Sequence, residues 1–179
     1  MFNEEELITK ALNIGFDKVK KLERSALVFN ELVRDMCSKD KCHNYGKSWS
    51  CPPGCGSIEE SFNKTNDYPD GIIVETIGEL EDEFDFEGML EYAKKHQELV
   101  QLFASKLREE NYDFLPMGSG GCRICGKCTY PDNPCRHPDK MVISMEAYGL
   151  FVSDVCKKSG IPYNNGPNTI TYIGCFLFK

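Results

Sequence analysis

The spacing of apolar side chains along the chain predicts three helices. An apolar stripe at helical spacing begins after Asn3, which can cap a helix, and stops at Gly15, which is typical of a helix end. A longer amphipathic pattern covers residues 86–110. A third pattern covers residues 145–158, and Ser144 stands at the position of its cap. We therefore expect about three helices.

Continuous apolar runs predict strands between these helices. The clearest are Asp70 to Ile77, which reads DGIIVETI, and Thr169 to Phe178, which reads TITYIGCFLF. Residues 113–117 are a shorter candidate directly before a glycine-rich loop, and residues 16–23 are a weaker one. Residues 25–36 fit a strand and a helix equally well, so the pattern assigns them to neither.

The order of these elements predicts the fold class. Two strands flank the long helix, so they should lie parallel, joined by a crossover connection. A length of 179 residues fits one domain, spanning residues 1–179. We therefore expect an α/β fold of the mixed α+β kind. It would have a small mixed sheet flanked by about three helices, with two cysteine-rich metal loops.

The charge of the chain argues against nucleic acid as a partner. The formal net charge is −7, whereas phosphate binding needs a basic face. Seven acidic residues fall between Glu79 and Glu91, and we expect them to form a solvated surface. No apolar run reaches the roughly 18 residues that a membrane-spanning helix needs, so no membrane partner is expected.

The N-terminal sequence and the cysteine content bear on the cellular compartment. The first ten residues, MFNEEELITK, are acidic where a signal peptide would be basic and then apolar. This predicts a cytoplasmic protein. Thiols stay reduced in the cytoplasm, so the ten cysteines are expected to serve as ligands or core residues more than as disulfides.

The densest set of potential ligands lies in the segment GSGGCRICGKCTYPDNPCRHP, residues 118–138. It places four cysteines within fourteen residues: Cys122, Cys125, Cys128 and Cys135. The first three are separated by two residues each, as in the bacterial ferredoxin run, and the fourth follows after six residues instead of three. Such spacing lets one short loop reach several corners of a cubane, and it favours a 4Fe-4S cluster.

Two other interpretations of this main cysteine group stay open. Four thiolates also hold zinc in a tetrahedron, although structural zinc sites usually combine two Cys-x2-Cys pairs across a longer spacer. Disulfides or unliganded thiols are the second alternative, although an even number of cysteines indicates a disulfide framework mainly in small secreted chains. The spacing of these cysteines indicates metal binding, but it does not identify the metal equally well.

A first cysteine group precedes the main group in the chain. It consists of Cys37, Cys42, Cys51 and Cys55, separated by four, eight and three residues. These gaps match no standard zinc or ferredoxin spacing. Nearby glycines let the backbone approach a metal centre closely, and two prolines stiffen the last turn. We interpret the group as the site of a second iron–sulfur cluster or as the source of some ligands of a shared site.

Two further cysteines and one histidine are expected to be core residues. His96 lies on the apolar stripe of the long helix, and Cys156 lies at the edge of the third stripe. Cys175 falls within the last strand. Buried free cysteine behaves as a small hydrophobic residue. None of the three is predicted to bind metal.

Four segments give the chain a family resemblance. They read YGKSWSCPPGC, CRICGKCTYPDNPCRHP, SMEAYG and GPNTITY, and their order spans nearly the whole chain. The sequence resembles the domain-of-unknown-function family 2284 of predicted metal-binding proteins. The resemblance implies a compact, cysteine-rich, cytoplasmic protein of anaerobic-type microbial metabolism. It implies no particular reaction.

Three functions fit these observations. The first is an iron–sulfur protein with one cluster or two, which carries electrons for a redox partner protein. The second is a zinc-stabilised binding module without redox chemistry. The third is a cluster-dependent enzyme with an open iron site, in which Arg136, His137 or Glu146 would face a small-molecule substrate. The sequence contains no phosphate-binding loop or dinucleotide fingerprint, so we favour electron transfer.

Overall fold

The computed structural model describes residues 2–179 and has a mixed α+β fold, as the apolar pattern predicts. The helices of this part are α1 (Glu4–Ile14), α2 (Glu31–Ser38), α3 (Ile58–Asn66), α4 (Phe86–Glu109) and α5 (Val152–Ser159), with a short 3-10 helix at Arg24–Ala26. The strands are β1 (Lys18–Lys21), β2 (Asp70–Glu79), β3 (Phe114–Gly118), β4 (Ile143–Ser144) and β5 (Thr169–Phe178). Within residues 2–179, no helix is both long and apolar enough to cross a membrane.

The five strands form one sheet in the order β1-β2-β5-β3-β4. β5 is its central strand. It pairs antiparallel with β2, from Asp70 opposite Phe178 to Glu79 opposite Thr169, and antiparallel with β3 on its other side. Because β2 and β3 both run opposite to β5, they run parallel to each other, as predicted. They are not neighbours, however, since β5 lies between them.

Apolar cores lie on both faces of the sheet. α1 and α4 cover one face, where Phe103 packs edge-on against Phe176 with ring centroids 4.7 Å apart. On the other face, Cys156 of α5 and Cys175 of β5 are fully buried among apolar side chains. The prediction that these two cysteines belong to the core is therefore confirmed.

The third predicted helix is wrong in its first half, because α5 begins only at Val152. The Met145 amide donates to the Gly118 carbonyl at 3.0 Å, which ties this segment to the end of β3. Gly149 then has a φ of 90°, a conformation that an α-helix does not accommodate. Ser144 belongs to β4, and its hydroxyl caps a turn instead of a helix.

Two helices, α2 and α3, are absent from the predicted set. α2 falls mostly within the segment that the pattern leaves unassigned. α3 begins with a capping box formed by Ser57 and Glu60, but its buried side chains are Ser61 and Thr65. Because polar side chains face the interior, α3 has no apolar stripe that periodicity could detect.

His96 is a core residue, as predicted. It is fully buried on α4, and its Nδ1 lies 2.8 Å from the Thr76 hydroxyl. Burial lowers the pKa of His96 to about 4, against a smaller opposing contribution from the backbone of Ile173. The ring is therefore neutral at pH 7.

We expect the His96 ring to remain neutral until the pH approaches 4. The unfolded chain binds this proton near pH 6.5, so the free energy of unfolding should fall as the pH drops from about 6.5 to about 4. The loss from this group is about 3 kcal/mol at most. An NMR titration of the ring signals measures the midpoint, and a midpoint near 6.5 would show that water reaches the ring.

Candidate metal centre

The loop that follows β3 gathers the cysteines of the main group. Cys122, Cys125, Cys128 and Cys135 all line one cavity of about 150 Å³, and each is partly buried. The loop leaves the carboxyl end of β3, which is the end of a strand where sites gather in α/β sheets. The structure thus brings the four predicted thiols around one space.

These thiols also lie within electrostatic range of one another. Burial raises the pKa of the Cys122 thiol, and the amide of Ile124 opposes this rise by hydrogen bonding to the sulfur. The neighbouring Cys135, Cys125 and Cys128 add to the rise, because each negative charge disfavours the next. Four thiolates at this spacing are stable together only with positive charge among them.

The surroundings of Cys128 favour its thiolate form. Burial by itself would raise its pKa, but hydrogen bonds to the sulfur outweigh that effect and lower the pKa. The donors are the amides of Tyr130, Trp49 and Thr129 and the hydroxyl of Ser48. Donors directed at a sulfur stabilise its thiolate form, which is the form that binds metal.

Two of those donors come from the loop of the first cysteine group, and further contacts join the two loops. The buried Ser50 hydroxyl accepts a hydrogen bond from the Cys122 amide at 2.9 Å. The Trp49 indole donates to the Asn133 carbonyl at 3.0 Å, and its ring meets Tyr130 edge-on at 4.9 Å between centroids. The first loop therefore packs against the main cysteine loop and forms hydrogen bonds with its backbone.

Gly54 lies where the first loop packs against Tyr130 of the main loop. A Cβ at this position would lie 2.6 Å from the Ser48 carbonyl oxygen and 2.8 Å from the Tyr130 ring. Contacts this short exclude any side chain. The sequence indicates only that glycines near these cysteines let the backbone approach a metal, whereas Gly54 lets the two loops pack against each other.

The four cysteines of the first group also lie near one another. Cys51 is buried, Cys37 and Cys55 are partly buried, and Cys42 is exposed. Burial raises the pKa of the Cys51 thiol to about 11, the Ser50 hydroxyl opposes this rise, and the other three cysteines add to it. The four predicted residues therefore form a second group of interacting thiols.

The three residues expected to face a substrate do not lie together: two are at the main cysteine group and one is near the first cysteine group. Arg136 and His137 line the cavity of the main group, and the His137 amide donates to the Cys135 sulfur at 3.4 Å. Glu146 lies instead near the first group: burial, and then the charge of Glu146, raise the pKa of Cys37. Burial also raises the pKa of Glu146.

The thiols are not arranged as a metal group. Within residues 2–179, no three His, Cys, Asp or Glu side chains form a group that could hold a metal ion. Metal binding by the two loops, and the identity of the metal, therefore stay predictions.

These features define a class: a cysteine-rich α+β protein whose two thiol groups lie on adjoining loops. The chain belongs to DUF2284, a family described as predicted metal-binding proteins, whose profile matches residues 20–178. The resemblance found in the sequence is thereby confirmed, and the match includes both cysteine groups. No curated protein and no solved structure is detectably similar to the chain. The family description leaves the metal unspecified.

Replacing Gly54 with alanine should push the two loops apart. The added methyl overlaps Ser48 and Tyr130, and overpacking of this kind costs about 1–3 kcal/mol. We expect a lower melting temperature and less bound metal in the purified protein. Gly126→Ala is the matched control, because a Cβ at Gly126 meets no atom within 4 Å. Equal melting temperatures for the two variants would contradict the close contact between the loops.

Proposed function

We propose that this protein binds iron–sulfur clusters and transfers electrons to or from a partner protein. A 4Fe-4S cluster would be held by Cys122, Cys125, Cys128 and Cys135. The observation that carries the proposal is that all four thiols line one cavity of about 150 Å³. A cubane needs four thiolates around a space of several atoms, whereas a zinc ion needs them around a point.

Hydrogen bonds to the sulfur atoms support this proposal. The His137 amide donates to the Cys135 sulfur at 3.4 Å. Polar groups of both loops lower the pKa of Cys128, and the Ile124 amide opposes the rise in the pKa of Cys122. Hydrogen bonds to ligating sulfurs stabilise the negative charge of a reduced cluster and tune its potential. The loop would thus provide the environment that a redox centre needs.

The positive charge and the aromatic surface around the cavity fit the same function. Arg136 lines the cavity and would offset the negative charge of a cluster with four thiolates, whereas Lys47, which also lines it, pairs with Asp40 at 3.2 Å. Trp49 lines it as well and would limit the access of water. Lower exposure to solvent is a further factor that sets the potential of a cluster.

The first group is proposed to hold a second cluster. Its cysteines interact electrostatically, as those of the main group do. Burial raises the pKa of the Cys55 thiol, and the charge of Arg34 opposes this rise. The Arg34 guanidinium also donates to the Gly56 carbonyl at 2.9 Å, which holds it in this loop. Two centres on adjoining loops would let electrons pass within the chain.

We propose a redox protein as the partner and the cytoplasm as the location. The net charge of −7 disfavours nucleic acid as the partner. The ten cysteines are all free thiols in the structure, which suits a reducing compartment.

Cysteine-to-serine variants of anaerobically purified protein test the proposal. The native protein should contain iron and acid-labile sulfide in equal amounts and absorb visible light. Cys128→Ser should remove about four iron atoms and four sulfides per chain. Cys156→Ser is the matched control, because Cys156 is a buried core residue outside both groups, and it should keep the full cluster content.

Finding zinc in place of iron would contradict this proposal. A colourless native protein that carries stoichiometric zinc, lost on Cys128→Ser replacement, would overturn the redox function and would establish the zinc-stabilised module instead.

A further inference from the structure

A second, larger cavity adjoins the main cysteine group. It measures about 420 Å³ and lies between α4 and the turn at residues 118–121 that follows β3. Its volume falls within the roughly 300–1,000 Å³ typical of small-molecule sites. Cys122 and Ile124 line both this cavity and the cavity of the main group, so the two cavities share a wall.

The wall of this cavity combines apolar side chains with an ordered turn. Val100, Ile124 and Val142 provide apolar surface. The Gln97 amide nitrogen lies 3.1 Å from the Ser119 carbonyl oxygen and 3.3 Å from that of Gly121, so α4 holds the turn in place. The cavity is therefore preformed and suits a ligand with an apolar body.

The charges around the cavity favour an anion. Lys94 and Glu98 pair with each other at 3.8 Å on the surface of α4 and largely cancel. Arg123 also lines the cavity, and it makes no hydrogen bond or ion pair with another of residues 2–179. Arg123 is thus a guanidinium without a carboxylate partner among residues 2–179, and guanidinium binds carboxylates strongly.

The turn forms the wall of the cavity opposite α4 with its carbonyl side. The Ser119 and Gly121 carbonyls accept from Gln97 of α4, and the Cys122 amide on the other side of the turn donates to Ser50. His96, which is fully buried, also lines the cavity.

We infer that this cavity binds a small organic carboxylate with an apolar body. The carboxylate would meet Arg123, and the apolar body would contact Val100 and Val142. The inference that the cavity binds an anion rests only on the shape of the cavity and the position of Arg123. Its location beside a redox centre rests on the proposed function, since Cys122 would be a cluster ligand.

Benzoate is the probe, with benzamide as its uncharged counterpart, titrated into the full chain and followed by saturation-transfer NMR. We expect saturable binding of benzoate at least about tenfold tighter than that of benzamide, because only benzoate forms a charge-assisted pair. Arg123→Gln should weaken benzoate about tenfold and leave benzamide unchanged. Lys127→Gln is the matched control, since Lys127 is a cation of the same loop that lines neither cavity.

Filling the cavity gives a test that does not depend on charge. Val142→Phe should abolish the binding of both probes while the circular dichroism spectrum stays that of the native protein. Equal binding of benzoate and benzamide, no saturable binding, or benzoate binding that survives both Arg123→Gln and Val142→Phe would overturn the inference.

Iron content measured on the same samples separates this inference from the proposed function. Protein without iron that still binds benzoate overturns the cluster and leaves the carboxylate site standing. Protein with a full cluster content that does not bind benzoate overturns the carboxylate site alone.

Discussion

The hydrogen bond from the Cys122 amide to the buried Ser50 hydroxyl is the contact on which the site depends. It joins two segments that are 72 positions apart and places the donors of the first loop against the sulfurs of the main group. The neighbouring Ser48 hydroxyl lies 3.0 Å from that of Ser50, so the two serines form one buried polar link. A buried polar group that loses its partner is costly, roughly 1–3 kcal/mol, so this link also fixes the relative position of the loops.

The sheet explains why the two cavities are neighbours. β5 lies between β2 and β3, and α4 connects those two parallel strands across one face. The carboxyl end of β3 therefore emerges beside α4, and the chain enters the cysteine loop through a glycine turn that Gln97 of α4 holds. One side of this turn continues into the thiols, and the other side borders the larger cavity. The same few residues thus shape a candidate redox centre and a candidate ligand site.

The sequence predicts the parts of this structure that depend on local periodicity. β5 is predicted with its observed bounds, and α4 within one residue, because both carry strong apolar patterns. The cysteine groups are predicted by spacing alone. α3 is missed because Ser61 and Thr65 are its buried residues, and the false half-helix before α5 arises because periodicity does not register the φ of Gly149. The link between the loops involves residues distant in sequence, so no local pattern contains it.

X-ray absorption at the metal edge of anaerobically purified protein tests the central claim most directly, since it reports the atoms around the metal. If the protein holds an iron–sulfur cluster, the spectrum should show an iron absorption edge, a shell of sulfur neighbours and a second shell of iron neighbours. A zinc edge with a single shell of four sulfurs at about 2.3 Å would contradict the account.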